Sequence, residues 1–228
     1  MNAKLVLGLG ILLFVTGCGG GYRTVREPVP PRVDLHGYQT VGLVTFSTNS
    51  RSDIDRVSTA RFLRAVQAAQ PGTRVVELGS EERVMREVNR ARWDRETLAM
   101  VKERFGVDAV LIGRIEVERQ RPDVRFSAYP HGREVEVNQD VNAELSARLL
   151  EVDSGATVWS DGAKCTTNLS NAAFDDHGRG GFGARNAEAT YGEMVDGLVF
   201  RVTDAFRVHY IVRQIPIETS SGSVARAE

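Results

Sequence analysis

Cysteine is nearly absent: the 228 residues contain two, Cys18 and Cys165. Once Cys18 is assigned to an N-terminal export signal, Cys165 has no partner, so no intramolecular disulfide is expected and stability must come from a packed core. An excess of one charge is also lacking. The 29 basic and 30 acidic residues give a formal net charge of −1, which supplies no basic stripe of the kind nucleic acid demands, and no nucleic-acid partner is expected. Long apolar runs are missing too. The one exception, Leu5 to Val15, is far shorter than the about 20 residues that span a bilayer.

That run is informative for what flanks it. Lys4 supplies a positive charge before it, and Val15-Thr16-Gly17-Cys18 closes it. A charged start, an apolar stretch and small residues before a cut make a secretory leader. The last four residues resemble the lipobox, whose cysteine receives a diacylglycerol before cleavage leaves it as the first residue. Cys18 is therefore the expected lipidation site, and several acyl chains hold a protein on a membrane essentially permanently. Gly19 and Gly20 follow without an Asp beside the cysteine, which favours the outer membrane over the inner one, with the protein facing the periplasm.

About 210 residues then remain, enough for one domain with a substantial core. Gly19 to Pro31 is rich in Gly and Pro and reads as a flexible tether, stiffened at Pro28-Val29-Pro30-Pro31. Thr40 to Phe46 reads as a buried strand. Ser58 is the expected cap of a helix carrying Phe62, Leu63, Val66 and Ala69, which Pro71-Gly72 stops. Arg74 to Leu78 is a short strand, Ser80 opens a helix with Val84, Met85 and Val88 on one face, and Asp94 caps another that ends at Gly106. Val107 to Val117 is the most apolar strand.

After it the rhythm changes from strand and helix to strand and strand. Glu134 to Leu150 alternates as one long strand, interrupted near Asn138 to Asp140, and Asp153-Ser154-Gly155 turns the chain into Ala156 to Thr166, with Trp159 at its centre. Ser170 to Arg185 is a Gly-rich loop. Glu188 to Arg213 carries Tyr191, Met194, Val195, Leu198, Val202, Phe206 and Tyr210 at spacings of three and four, predicting a long amphipathic helix across the sheet. The fold class is α/β with α+β character: a mixed sheet from two strand–helix crossover units, an antiparallel hairpin and a long C-terminal covering helix. Residues 1–17 are the leader, 18–37 the lipidated tether, 38–215 a single α/β domain and 216–228 a disordered tail.

The ordered blocks Val41 to Phe46, Val75 to Val88, Val101 to Glu116 with Gly106, Asp108 and Gly113, and Leu149 to Ser160 around Asp153-Ser154-Gly155 carry a resemblance. Following a lipobox, they resemble the curli-assembly (CsgG-like) and penicillin-binding-protein-activator (LpoB-like) lipoproteins, whose domain is similar to the N-terminal domain of the translocation protein TolB. The resemblance implies a scaffold, with no catalytic residue among the matching positions. Two departures matter. The segments Arg119 to Arg133 and Ser170 to Arg185, where the curli secretion channel inserts long barrel hairpins, read as short and charge- or Gly-rich, so a self-made pore is not expected. The tether is also short beside the long linkers of the activators.

Groups with chemistry to offer are few. Asp175-Asp176-His177 precedes Gly178 to Gly183, but these are sequence neighbours rather than one helix face, and the glycines do not join a strand to a helix as a phosphate loop would. The cluster reads as a surface loop, with Asp175, Asp176, His177 and Phe182 as possible partner contacts and no metal site. Phe126 and Tyr129, in the loop before the hairpin, are either an exposed aromatic contact or local packing. His36, His131 and His209 are isolated, and Cys165 reads as a buried thiol in a strand. No cofactor and no enzymatic activity are expected. The sequence points to a membrane-tethered interaction or regulatory module for an envelope assembly, with a protein partner it does not name. The alternative is a self-oligomerising structural subunit.

Overall fold

The segment read as a tether contains a strand, β1 (Tyr22–Val29), paired antiparallel with the C-terminal segment His209–Pro216 over eight register positions. The computed structural model describes residues 22–50, 53–119, 123–129, 132–138, 140–168, 172–174, 180–182 and 187–216. This two-stranded ribbon belongs to one unit of the chain, and Pro30–Val208 forms the other. The leader expected at 1–17 lies outside the described residues, as does the tail expected at 216–228 apart from Pro216, which ends a strand.

Pro30–Val208 follows the predicted alternation. Strand β2 (Val41–Thr45) is continued after Phe46 by β3 (Ser47–Thr48), and helix α1 (Ile54–Ala69) crosses to β4 (Val75–Ser80). Helices α2 (Glu81–Glu87) and α3 (Arg95–Phe105) lead to β5 (Ala109–Arg119). The β6 (Asp123–Tyr129) and β7 (Gly132–Asn138) hairpin then precedes the long pair β8 (Asp140–Glu151) and β9 (Thr157–Asn168). Short strands β10 (Ala172–Phe174) and β11 (Gly180–Phe182) come before α4 (Ala187–Val202). The central sheet runs β4-β2-β5-β8-β9, parallel through its first three strands and antiparallel thereafter. It is the mixed α/β sheet the sequence predicts.

Local chemistry explains most boundaries. Ser80 and Asp94 cap α2 and α3 by accepting the Arg83 and Thr97 amides at 3.3 and 2.8 Å, and Gly106 ends α3 at φ +66°. Two readings need correction. Ser58 is not a cap: α1 begins a turn earlier, and Ser58 is fully buried inside it. The long C-terminal helix stops at Val202, followed by a 3₁₀ turn (Thr203–Phe206) and then β12 (His209–Pro216). Val208, Ile211, Val212 and Ile215 are β-branched, a composition that favours an extended strand once a partner is available. Here the partner is β1, remote in sequence.

One face of the sheet is sealed by α1 and α4. Phe46, Phe62, Phe206 and Trp159 run through this core as a chain of rings, with centroids 5.1, 6.2 and 4.8 Å apart. Gly113 of β5 makes room for the first of them: a Cβ there would stand 2.6 Å from the Phe46 ring. On the other face α2 and α3 cover one end only, where Val84, Leu98 and Val101 cluster with Val110, Ile112 and Leu150. Gln70, just after α1, is buried, and its side chain holds three main-chain groups. It accepts from the Leu35 amide at 2.6 Å and donates to the carbonyls of Phe206, at 3.1 Å, and Val33.

Gly113→Ala is expected to destabilise the protein by about 1–3 kcal/mol through overpacking, with part of the loss recovered in the Gly113→Ala, Phe46→Leu double variant. Gln70→Ala, which strands three main-chain groups, should cost about 3 kcal/mol. Denaturant titration monitored by Trp fluorescence reads both.

Candidate interaction surface

The uncovered end of the second sheet face is built by strand alternation. Residues of β5, β8 and β9 that do not enter the core point outward at this end: Arg114, Glu116 and Glu118, then Asn142 and Glu144, then Lys164 and Thr166. All of these but Arg114, together with Asn49 and Cys165, line most of a shallow depression of about 580 Å³.

Four of the charges there are matched in pairs. Glu116 and Glu144 sit directly opposite on adjacent strands, a like-charge arrangement that is unfavourable by itself. Arg114 Nε meets Glu116 at 2.7 Å and Lys164 Nζ meets Glu144 at 2.8 Å, so each carboxylate has a cation on its outer side. The hydrogen bond to Glu144 holds the Lys164 ammonium above its ordinary range, with the Glu144 charge adding to it. The Thr166 hydroxyl donates to Asn142 at 2.7 Å, and Asn49 exchanges two hydrogen bonds with the Val117 main chain. This is a flat surface on which Arg114, Glu116, Glu144 and Lys164 form two ion pairs.

Strand β9 is the outer strand on this side of the sheet. Such an edge invites another strand unless it is blunted. Asp161 lies in the register of the apolar face, and Arg201 of α4 donates to the Lys164 carbonyl at 3.1 Å. Both features guard part of the edge. Cys165 is half-buried and is a free thiol. Burial pushes it above the ordinary thiol range, and the Arg201 charge pulls the other way.

Beyond the sheet the chain extends as the β6–β7 hairpin, whose register pairs Val124 with Val137 and Phe126 with Val135. The sequence reading placed Phe126 and Tyr129 in a loop and saw no alternation between Arg119 and Arg133. The first is corrected: the two aromatics belong to strand β6, which pairs with β7. Phe182 is likewise in a strand, β11, paired with Ala172 of β10. Strand β10 runs close to β7. Cys18, Asp175, Asp176 and His177 lie outside the described residues. The Arg114–Glu116–Glu144–Lys164 row escaped the sequence reading, although polar residues at every second position of both long strands were its signal.

Among the described residues no helix is long and apolar enough to cross a membrane. No protein-family model matches the sequence, and no curated protein matches it. Solved structures do resemble the chain at low identity. The PelC dodecamer from Paraburkholderia phytofirmans is 14% identical, with a TM-score of 0.39 over 81% of this chain and 98% of that one. Lipoprotein GNA1162 from Neisseria meningitidis is 18% identical, with a TM-score of 0.36 over 57% and 83% of the two chains. The LpoB C-terminal domain from Escherichia coli is 12% identical, with a TM-score of 0.32 over 57% and 83%.

The raised Cys165 thiol is expected to react with iodoacetamide more slowly than free cysteine at neutral pH. Its pH–rate midpoint should move further upward in Arg201→Ala, because removal of the nearby positive charge disfavours the thiolate. Rates followed by intact mass across pH 7 to 11 check both.

Proposed function

We propose that the protein is a lipoprotein held in the outer membrane through Cys18 and facing the periplasm, where it serves as a non-catalytic interaction module for an envelope assembly. The single observation that carries the interaction role is the asymmetry of the sheet. One face is sealed by two helices, while half of the other presents a flat row of paired charges. The non-catalytic reading is supported by that pairing, since Glu116 and Glu144 are each engaged by a cation at hydrogen-bond distance. The anchor reading rests on Val15-Thr16-Gly17-Cys18, and the outer-membrane assignment on Gly19 and Gly20.

A second reading, a self-associating structural subunit, is favoured by the twelve-residue outer strand β9, only partly guarded against another strand. Crosslinking in living cells separates the two. The first reading expects a heterologous envelope protein joined to the full-length chain, lost in Cys18→Ala and reduced several-fold in Lys164→Glu at unchanged protein level. A ladder of self-linked species would support the subunit instead. Turnover of a substrate by the purified protein would end the non-catalytic reading.

A further inference from the structure

The β1–β12 ribbon presents apolar residues on both sides and has no core of its own. All eight residues of β12 are exposed, as are six of the eight in β1. Tyr22 is 67% exposed, Tyr210 64%, Val212 61% and Ile215 47%. Directly opposed residues share a side. One side therefore carries Tyr22, Pro28, Tyr210, Val212 and Pro216, and the other Val25, Val29, Ile211 and Ile215. A two-stranded ribbon is marginal in water on its own, and a contiguous exposed apolar surface marks a place that something covers.

Two features say what covers it. The first is charge: Arg23, Arg26 and Arg213 stand against Glu27 alone, and Glu27 is engaged by Arg213 at 3.2 Å. The ribbon thus carries a surplus of two positive charges, complementary to anionic phospholipid headgroups. The second is chain length. Cys18 precedes Tyr22 by four residues, which span at most about 14 Å. A lipid on Cys18 therefore keeps the end of the ribbon bearing Tyr22, Arg23, Ile215 and Pro216 close to the bilayer surface. Tyrosine, arginine and aliphatic side chains are the mixture that settles at that depth, with rings and stems in the apolar boundary and polar tips in water.

We infer that the tip of this ribbon inserts into the headgroup region of an anionic membrane, a second contact beside the acyl anchor. The inference rests on the lipidation reading of Cys18. The membrane contact orients the ribbon, because two points of attachment restrict what a single flexible anchor leaves free.

The test uses the full-length protein extracted from membranes, in a Cys165→Ser background, with one added cysteine at Ile215→Cys or, as a reference in the β8–β9 turn, Asp153→Cys. Each is labelled with a small fluorophore and reconstituted into vesicles of phosphatidylethanolamine and phosphatidylglycerol containing spin-labelled lipid. Quenching at 215 should exceed that at 153 by about threefold. It should fall by about half or more in Arg23→Glu, Arg26→Glu and in phosphatidylcholine vesicles, since each basic residue near the surface strengthens attraction to anionic lipid. Equal quenching at the two positions overturns the inference. So does a label at 215 shielded from aqueous iodide but not quenched by lipid, which would mean that a second copy covers the ribbon. Intact mass of the same preparation reads the diacylglyceryl group on Cys18, so the anchor and the ribbon contact can fail separately.

Discussion

The side-chain amide of Gln70 is the constraint on which the compact unit turns. It sits at the end of α1, sealed from water, and satisfies the main chain of Val33, Leu35 and Phe206. These groups come from stretches at opposite ends of the unit. An unpaired buried amide is costly, so the three bonds permit few alternative arrangements. The Val33 amide donating to Ala205 at 3.0 Å and the Arg32–Asp204 ion pair at 3.5 Å bind the same two stretches at the surface. The chain therefore enters and leaves Pro30–Val208 side by side. That proximity places Val29 and His209 where they can start the β1–β12 register.

From there the division of labour in the sheet follows. The face that meets α1 and α4 is filled by aromatic rings and aliphatic side chains, with Gly113 kept bare of a side chain so that Phe46 can lie flat. The other face needs cover only where Val110, Ile112 and Leu150 point outward, and α2 and α3 supply it. Further along, the same strands switch their outward positions to Arg, Glu, Asn and Lys and require no helix at all. A surface that pairs its own charges stays soluble without a partner and can still be recognised by one, since exposed ion pairs cost little to rearrange.

Much of this was legible in the sequence wherever structure is decided locally. The caps Ser80 and Asp94, the stop at Gly106, the turn at Asp153-Ser154-Gly155 and the core position of Trp159 follow from side-chain chemistry within a few residues. Asp108, which belongs to one of the blocks that carry the resemblance, holds the Gln39 and Thr40 amides at 2.9 and 3.0 Å and so fixes the entry to β2. What stayed hidden is decided at long range. Tyr22 to Val29 shows no clean alternation, and only β12 makes it a strand. Tyr210 continued the helical spacing by coincidence, because three- and four-residue intervals occur in a β-branched stretch too. The charge row of the interaction surface depends on a cross-strand register that no single strand states. Lipidation of Cys18, like the partner contacts at Asp175, Asp176 and His177, remains a proposal from the sequence motif alone.

The ribbon also carries a consequence for the order of assembly. Its strands join positions separated by about 180 residues, as Val29 pairs with His209, whereas most of the central sheet closes over much shorter distances. Loop closure of that length comes late, after nearer contacts have formed. Strand β1 leaves the ribosome first and waits for nearly the whole chain before it has a partner. A product truncated before His209 would retain Pro30–Val208 yet leave β1 without its partner strand. The ribbon therefore closes only after synthesis has passed through β12.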